Sequence, residues 1–279
     1  MIQYQGPISA NWHLTDLCNY RCRFCFANHF GCRFVKEGII PTVINGLVNN
    51  GVTKLNLAGG EPLLSDVLTT VARSAKDAGL TVSLITNGSL LKGRIYDALL
   101  NHVDWIGVSV DSTSEHVETQ LGRGDGGHVK RTIDLCHSLR ESGIKLKINS
   151  VITSLNVGED LRPLMLSTKP QRWKVFRMLM VGGQNDGASD LAVDDRQFQE
   201  FQRRHESIVL ENGTRPVFED NRDMIGSYLM IAPNGDIFKN NGLGYEYLGL
   251  DSWIENGWQS FFDYDGFVRR GGAYGWNEG

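Results

Sequence analysis

Three of the chain's five cysteines fall within eight residues, Cys18, Cys22 and Cys25 in "HLTDLCNYRCRFCFANHF". Thiols so close together bind metal, form disulfides or carry redox chemistry. Their C-x3-C-x2-C spacing matches neither the paired C-x2-C of structural zinc nor a two-cysteine redox motif. Zinc stays a rival, because His29 or Cys32 is near enough in sequence to supply a fourth ligand. The other reading is a four-iron four-sulfur (4Fe-4S) cluster, normally held by four thiolates. Three ligands would leave one iron open to a reacting molecule. Cys136, in "TIDLCHSLRESG", reads as a small buried hydrophobe on a helix, and Cys32 as an inert loop thiol.

The loop needs a frame, and the hydrophobic pattern supplies alternating strands and helices. "ISANWHL" reads as a strand entering a cysteine loop over 15–34, and residues 37–50 as a helix stopped by Gly51. The strand "TKLNLAGG" precedes a helix over 64–79, and "TVSLITNGS" a helix over 92–101. "WIGVSVDS" leads through the loop "LGRGDGG" to a helix ending near Gly143, "KLKINSVI" to a short helix over 160–168, and "RWKVFRML" is a sixth strand. Six such units predict an α/β protein with a partial (βα)6 barrel, whose chemistry collects at the C-terminal ends of the strands. Beyond it lie an amphipathic helix in "DRQFQEFQRRHESIVL" and a hairpin around Asn234-Gly235. The end, "FVRRGGAYGWNEG", reads as too rich in glycine for a helix. The expected division is a barrel over 1–182 and a C-terminal α+β extension over 183–279 that closes the substrate pocket.

Composition narrows the function classes. A chain of 279 residues, 41% hydrophobic and 22% charged, is an ordinary globular protein with room for a sizeable core. The net charge of −4 gives no overall pull toward nucleic acid or an anionic membrane. No targeting pattern is visible, and no window approaches the ~20 apolar residues of a membrane span. An odd, scattered cysteine set is not a secreted disulfide framework. The expectation is a cytoplasmic monomer that binds neither membrane nor nucleic acid directly.

The cysteine motif, with Phe24 before its last thiol, resembles the signature of radical S-adenosylmethionine (radical SAM) enzymes. Gly59-Gly60-Glu61 in "LNLAGGEPLL" resembles the family's GGE motif, in the expected order on the next strand. Across nearly the whole chain, "NWHLTDLCNYRCRFCF", "KLNLAGGEP", "TNGSL", "SVDS", "LGRG", "KINSVI", "RWKVF", "SYL" and the "RRGG" tail are similar to the viperin-like family of nucleotide-modifying radical SAM enzymes. That resemblance implies one 4Fe-4S cluster on Cys18, Cys22 and Cys25, with SAM on the open iron. An external one-electron reductant of flavodoxin or ferredoxin type would supply the electron. The implied substrate is a ribonucleoside triphosphate (CTP, UTP or GTP), converted to its 3′-deoxy-3′,4′-didehydro analogue. The 4′-hydrogen is removed, the 3′-hydroxyl leaves as water, and the product is a chain-terminating antiviral nucleotide. The alternatives are a radical SAM peptide-modifying or cofactor-maturing enzyme, often marked by a second cysteine cluster that this sequence lacks, and a non-enzymatic zinc-binding regulator.

Particular residues follow. Gly60 and Glu61 would receive the SAM amino group, Arg123 its carboxylate and Ser109 its ribose, with backbone at Phe26 reading the adenine. Lys54, Lys147, Arg172 and Lys174 lie on strands, where alternation puts Arg172 and Lys174 on one face and Trp173 on the other. Cations inside a barrel are costly unless paired, and a polyanionic ligand explains them better than scattered surface lysines or internal ion pairs do. Asn11, Asn56 and Asn149 also occupy strands, where Asn is depleted. By resemblance they bind ribose hydroxyls and phosphate, and Arg270, or Arg269, adds charge in the tail. Tyr228 would donate the final hydrogen. Asn87 reads as a turn residue. Ala58 stands where vertebrate members carry Ser, so a hydroxyl contact is lost. Base choice falls to loops 182–190 and 234–246 and to the tail, with nucleotide expected to order 266–276.

Overall fold

The computed structural model describes residues 8–272. Six parallel strands stand side by side in chain order: β1 (Ile8–His13), β2 (Val52–Ala58), β3 (Thr81–Thr86), β4 (Trp105–Ser109), β5 (Lys145–Ile152) and β6 (Arg172–Arg177). Connecting them are α1 (Ile40–Asn49), α2 (Leu68–Asp77), α3 (Gly93–Leu100), α4 (Glu115–Gln120), α5 (His128–Glu141) and α6 (Arg162–Thr168). The expected βα alternation is present, and the sheet stays open rather than closing into a barrel.

Beyond β6 the chain continues with α7 (Asp195–His205), β7 (Val217–Glu219), α8 (Asn221–Met224), β8 (Leu229–Ile231), β9 (Ile237–Asn240), β10 (Tyr245–Leu248), α9 (Leu250–Asn256) and α10 (Tyr264–Arg269). These strands extend the same sheet at both ends, in the order β10-β9-β8-β1-β2-β3-β4-β5-β6-β7. Parallel β7 lies beyond β6, while β8 pairs parallel with β1 and β9 and β10 turn back antiparallel. The expected hairpin around Asn234-Gly235 joins β8 to β9.

Alternation along the strands separates structure from chemistry. Ala10 and Trp12, Leu55 and Leu57, Ile106 and Val108, Leu146 and Ile148, and Trp173 and Val175 are all fully buried in the main hydrophobic core. Each aliphatic side chain of this kind contributes about 1.5–3 kcal/mol on burial. The intervening positions are polar: Ser9, Asn11 and His13 on β1, Lys54 and Asn56 on β2, Lys147 and Asn149 on β5, Lys174 on β6. Register lines them up, with Ser9 opposite Lys54, Asn11 opposite Asn56, Lys147 opposite Arg172 and Asn149 opposite Lys174. Asn11, His13, Asn56, Lys147, Asn149 and Lys174 on this face line one cavity.

Three local expectations need correction. The helix foreseen over 64–79 starts only at Leu68, because Glu61 accepts from Leu63 N and holds Pro62–Leu64 in a separate 3-10 turn. Helix α4 was not foreseen; Ser114 caps it by accepting from Val117 N. The glycine-rich end does contain helix: Asp263 accepts from Gly266 N at 2.9 Å, and buried Phe267 anchors α10. The rest of that segment, including the part of 266–276 past Gly272, lies outside the described residues. Among the described residues no helix is long and apolar enough to cross a membrane.

Candidate active site

Two glycine segments clamp the cysteine loop from opposite sides. From the end of β2, Gly60 N donates to Thr15 O and Glu61 N to Leu17 O, both at 2.7 Å. From the "LGRG" turn after α4, Gly122 O accepts from Arg21 N at 3.1 Å and Leu121 O from Arg23 N at 2.9 Å. A Cβ built on Gly60 would collide with the Leu17 carbonyl, and one on Gly122 with the Arg21 carbonyl. At Gly122 the backbone also takes a positive φ of 79°. The glycines therefore allow backbone to approach the loop itself, a different reason from the ligand approach that the motif suggests on paper.

Cys18, Cys22 and Cys25 are half-buried, free, and line one cavity of about 280 Å³ beneath the loop. Burial raises all three thiols, Cys22 to about 12, so a bound cation is needed to hold them as thiolates. Two sulfurs already accept backbone amides, Cys18 from Tyr20 N and Cys25 from Ala27 N, each at 3.4 Å. Among the described residues no three His, Cys, Asp or Glu side chains converge as a single metal ion requires. Soft thiolates on one loop, with amide donors to sulfur, fit the wider span of an iron–sulfur cluster.

Next to the thiols the cavity is lined by Phe26, Gly60, Ser109 and Arg123. Arg123 is buried, with Nε donating to Asp111 Oδ2 at 2.6 Å and lying 3.7 Å from Glu118 Oε2 as an ion pair. Burial opposes its charge, but Asp111, Cys22 and Glu118 outweigh that and hold it protonated. Ser109 is braced through its carbonyl by His128 Nε2 at 2.8 Å. That nitrogen must carry the proton, leaving His128 Nδ1 facing the Tyr20 hydroxyl at 3.3 Å. Phe26 O accepts from the Tyr245 hydroxyl. Glu61 sits behind the wall rather than on it. Its oxygens accept from Thr86 Oγ1 (2.7 Å), Asn87 N (2.9 Å) and Leu63 N (3.2 Å), and burial raises it to about 7. Asn87 does form the expected turn, accepting from Ser89 N, yet its Nδ2 also reaches Asn19 Oδ1 at 2.9 Å and faces Cys18 Sγ at 3.9 Å.

At its other end the same cavity is lined by Asn11, Asn56, Lys147, Asn149, Lys174, Tyr228 and Arg270. Lys54 and Arg172 lie just below, beside Asn56 and Lys147 through the strand register, and Lys54 is buried. Burial, with neighbouring cations, lowers Lys54 to about 7, Lys174 to about 8 and Lys147 well below the usual range. Oδ1 of Asn56 and of Asn149 is buried with no hydrogen-bond partner among the described residues. Arg270 is fixed by Ser227 O (2.8 Å) and Ser227 Oγ (3.0 Å), whereas Arg269 points outward near Asp263.

Sequence reasoning missed four residues here. Glu219, fully buried at the end of β7, accepts from Lys174 Nζ and the Tyr228 hydroxyl and lies 3.5 Å from Arg270 Nη1. Burial alone would raise this carboxyl, but Lys174 and Arg270 bring it below its ordinary value. Lys174 Nζ is also 3.3 Å from the Tyr228 hydroxyl, and the Arg270 guanidinium stacks 3.6 Å over the Tyr228 ring. His13 lines the cavity as a neutral imidazole, lowered to about 3 by burial among Phe26, Phe30 and Phe238. Asn240 on β9 and Tyr245 on β10 complete the wall. A polar residue two places after Asn11 on the same strand face was the readable signal for His13. The three-residue strand β7 offers no periodicity that would single out Glu219.

Fold and site together define a radical SAM enzyme, and residues 12–164 match the Radical SAM superfamily model. Streptococcus suis SuiB bound to S-adenosylmethionine superposes with a TM-score of 0.71 at 18% identity, over 94% of this chain and 68% of that one. anSMEcpe with bound AdoMet gives 0.70 at 16% identity, over 94% and 82%. The relatives close enough to compare by sequence are narrower in kind. A Thermoplasmatales archaeon (strain ISO4-H5) protein named S-adenosylmethionine-dependent nucleotide dehydratase is 34% identical over 96% of both chains. One of that name from Flammeovirga pacifica is also 34% identical over 96% of both. The nucleotide dehydratase RSAD2 of Oncorhynchus mykiss is 32% identical over 98% of this chain and 81% of its own. This chain belongs to the S-adenosylmethionine-dependent nucleotide dehydratase family, the viperin-like branch of the superfamily.

Proposed function

We propose that the chain removes the 3′-hydroxyl of a ribonucleoside triphosphate as water, giving the 3′-deoxy-3′,4′-didehydro nucleotide. One observation carries the reading: a single chamber joins three thiols at one end to buried Lys147, Lys174 and Arg270 at the other. When bound at Cys18, Cys22 and Cys25, the cluster and SAM supply a 5′-deoxyadenosyl radical able to take a ribose hydrogen. The other tasks fall to the chain. Lys54, Lys147, Arg172, Lys174 and Arg270 hold the triphosphate, whose charge relieves their mutual repulsion. Asn11, Asn56 and Asn149 hold the ribose, the unpartnered amide oxygens accepting from its hydroxyls. Gly60, Ser109, Arg123 and Phe26 seat SAM, and Glu61 acts from behind by fixing the turn that carries Gly60. Phe24 and Phe26 keep water from the reacting carbon. Tyr228, oriented by Glu219, donates the final hydrogen.

In this reading residues 1–182, with the cluster loop 15–34, form the radical-generating unit and 183–279 the extension that closes the pocket. Tyr228, Asn240, Tyr245 and Arg270 on the chamber wall support that division. A flavodoxin- or ferredoxin-type donor would approach the outer face of the loop. There Arg21, His29 and Arg33 border a hollow that touches Cys18 and Cys22, a surface suited to an acidic partner. All five cysteines are free, which fits a reducing compartment, and we assign the cytoplasm. The test is anaerobic turnover of reconstituted protein with SAM, dithionite and each of the four NTPs. One NTP is expected to stimulate 5′-deoxyadenosine release and to lose one water. Stimulation by none of the four overturns the assignment.

A further inference from the structure

Asn240 has an unusual hydrogen-bond account. It is buried, at 4% exposure, and its Oδ1 accepts from Gly242 N at 2.7 Å. That bond turns the amide so that Nδ2 faces away from the 240–244 turn, and Nδ2 has no partner among the described residues. The residue lines the active chamber. A buried NH2 donor left unpaired is costly, so its partner is expected to arrive with a ligand.

The polar groups of the chamber divide by type. Asn56 and Asn149 offer unpartnered acceptors, which suit ribose hydroxyls. Lys147, Lys174 and Arg270 offer cations, which suit phosphate oxygens, the last two already sharing Glu219. Asn240 offers a donor on the far side of Tyr228. Strand β9 is three places from β2 in the sheet, separated by β8 and β1, a span of roughly 14 Å at ~4.8 Å per strand. Lys147 on β5 and Lys174 on β6 lie on the opposite side of Asn56 from Asn240, so a nucleotide with its phosphates there and its ribose near Asn56 directs its third part toward β9. The remaining part of a nucleoside triphosphate is its base.

We infer that Asn240 reads the nucleobase, its Nδ2 donating to a carbonyl oxygen or ring nitrogen of the base and so setting which triphosphate is preferred. This rests on the nucleotide-dehydratase reading above and deepens it. The locked Oδ1 matters for selectivity. An amide free to flip could present donor or acceptor, whereas this one presents only a donor and leaves an unpaired group wherever the base offers no acceptor.

The experiment compares reconstituted wild type with Asn240→Ala and Asn240→Asp, measuring kcat/KM for CTP, UTP, GTP and ATP, SAM affinity, and thermal midpoint. Asn240→Asp keeps an oxygen for Gly242 N and replaces the donor by an acceptor, so it stands in if the alanine variant misfolds. Its added charge weakens all four NTPs alike, and losses in that variant are read relative to that common factor. Both variants are expected to lose about tenfold or more on the preferred NTP. Losses on the others should be smaller, so that preference narrows, with SAM affinity within about twofold of wild type. Equal losses on all four NTPs, unchanged kinetics, or a loss confined to SAM affinity would each overturn the assignment. A wild type that turns over no NTP instead removes the reading on which it rests.

Discussion

Triphosphate binding should draw protons out of solution, by an amount the buried lysines set. At pH 8, Lys54, lowered to about 7 by burial and Arg172, carries about 0.1 proton. Lys174, lowered to about 8 chiefly by burial, carries about 0.5. A polyanion that returns both to the ordinary lysine range fills them, an uptake of about 1.4 protons. Lys147, lowered well below the usual range, adds up to about one more. The sign is definite: bound-state values rise, so affinity is full below the free-state values and falls progressively as pH climbs from 7–8 toward the ordinary lysine range. Near pH 8 the dissociation constant should worsen about 25-fold per pH unit from Lys54 and Lys174 alone. The terminal phosphate, with a pKa of about 6, is already ionised there and does not mask the effect. Calorimetric titration of NTP into reconstituted protein without reductant, in two buffers of different ionisation enthalpy, reads the uptake directly. Binding heats that do not depend on the buffer at pH 8 would refute the reasoning, because the cations would then be fully charged before the ligand arrives.

Replacing Tyr228 by Phe removes the hydroxyl held by Glu219 and Lys174. 5′-Deoxyadenosine formation should persist while nucleotide product falls at least about tenfold, and unchanged product yield removes Tyr228 from the chemistry. Gly122→Ala forces a methyl against the Arg21 carbonyl at a positive φ. Iron and sulfide retained after anaerobic reconstitution should drop well below wild type, and full loading would show that the clamp is dispensable. Glu219→Gln leaves Lys174 and Arg270 buried with a neutral neighbour, which should cost about 3 kcal/mol of stability. Saturating NTP should restore much of that by supplying the missing negative charge; denaturant unfolding with and without nucleotide measures both parts.

The candidate site was legible where side-chain chemistry is strongly spaced. Three thiols in eight residues, and lysines and asparagines alternating with Trp173, Ile148 and Leu55, announce a cluster loop and a polar strand face before any coordinates. What was not legible depends on tertiary partners. Glu219 and Leu229 sit on three-residue strands too short to show a period, so the sheet's growth at both edges could not be read. Asp263 and Phe267 override the low helix propensity of the tail, because a cap and a buried ring outweigh neighbouring glycines. Glu61 carries a recognisable motif yet turns inward to Thr86 and Asn87. Motif identity fixes that a carboxylate is needed there, and only the packing reveals which donors it serves.

The position of β1 has a consequence for how the protein is assembled. Its two neighbours are β2, some forty residues later, and β8, more than two hundred residues later. While the chain emerges from a ribosome, β1 is an unguarded sheet edge until residues 229–231 are made. The thiols just after it are complete long before the wall that shields them. A cluster inserted early would face solvent and oxygen, so maturation should favour the finished polypeptide.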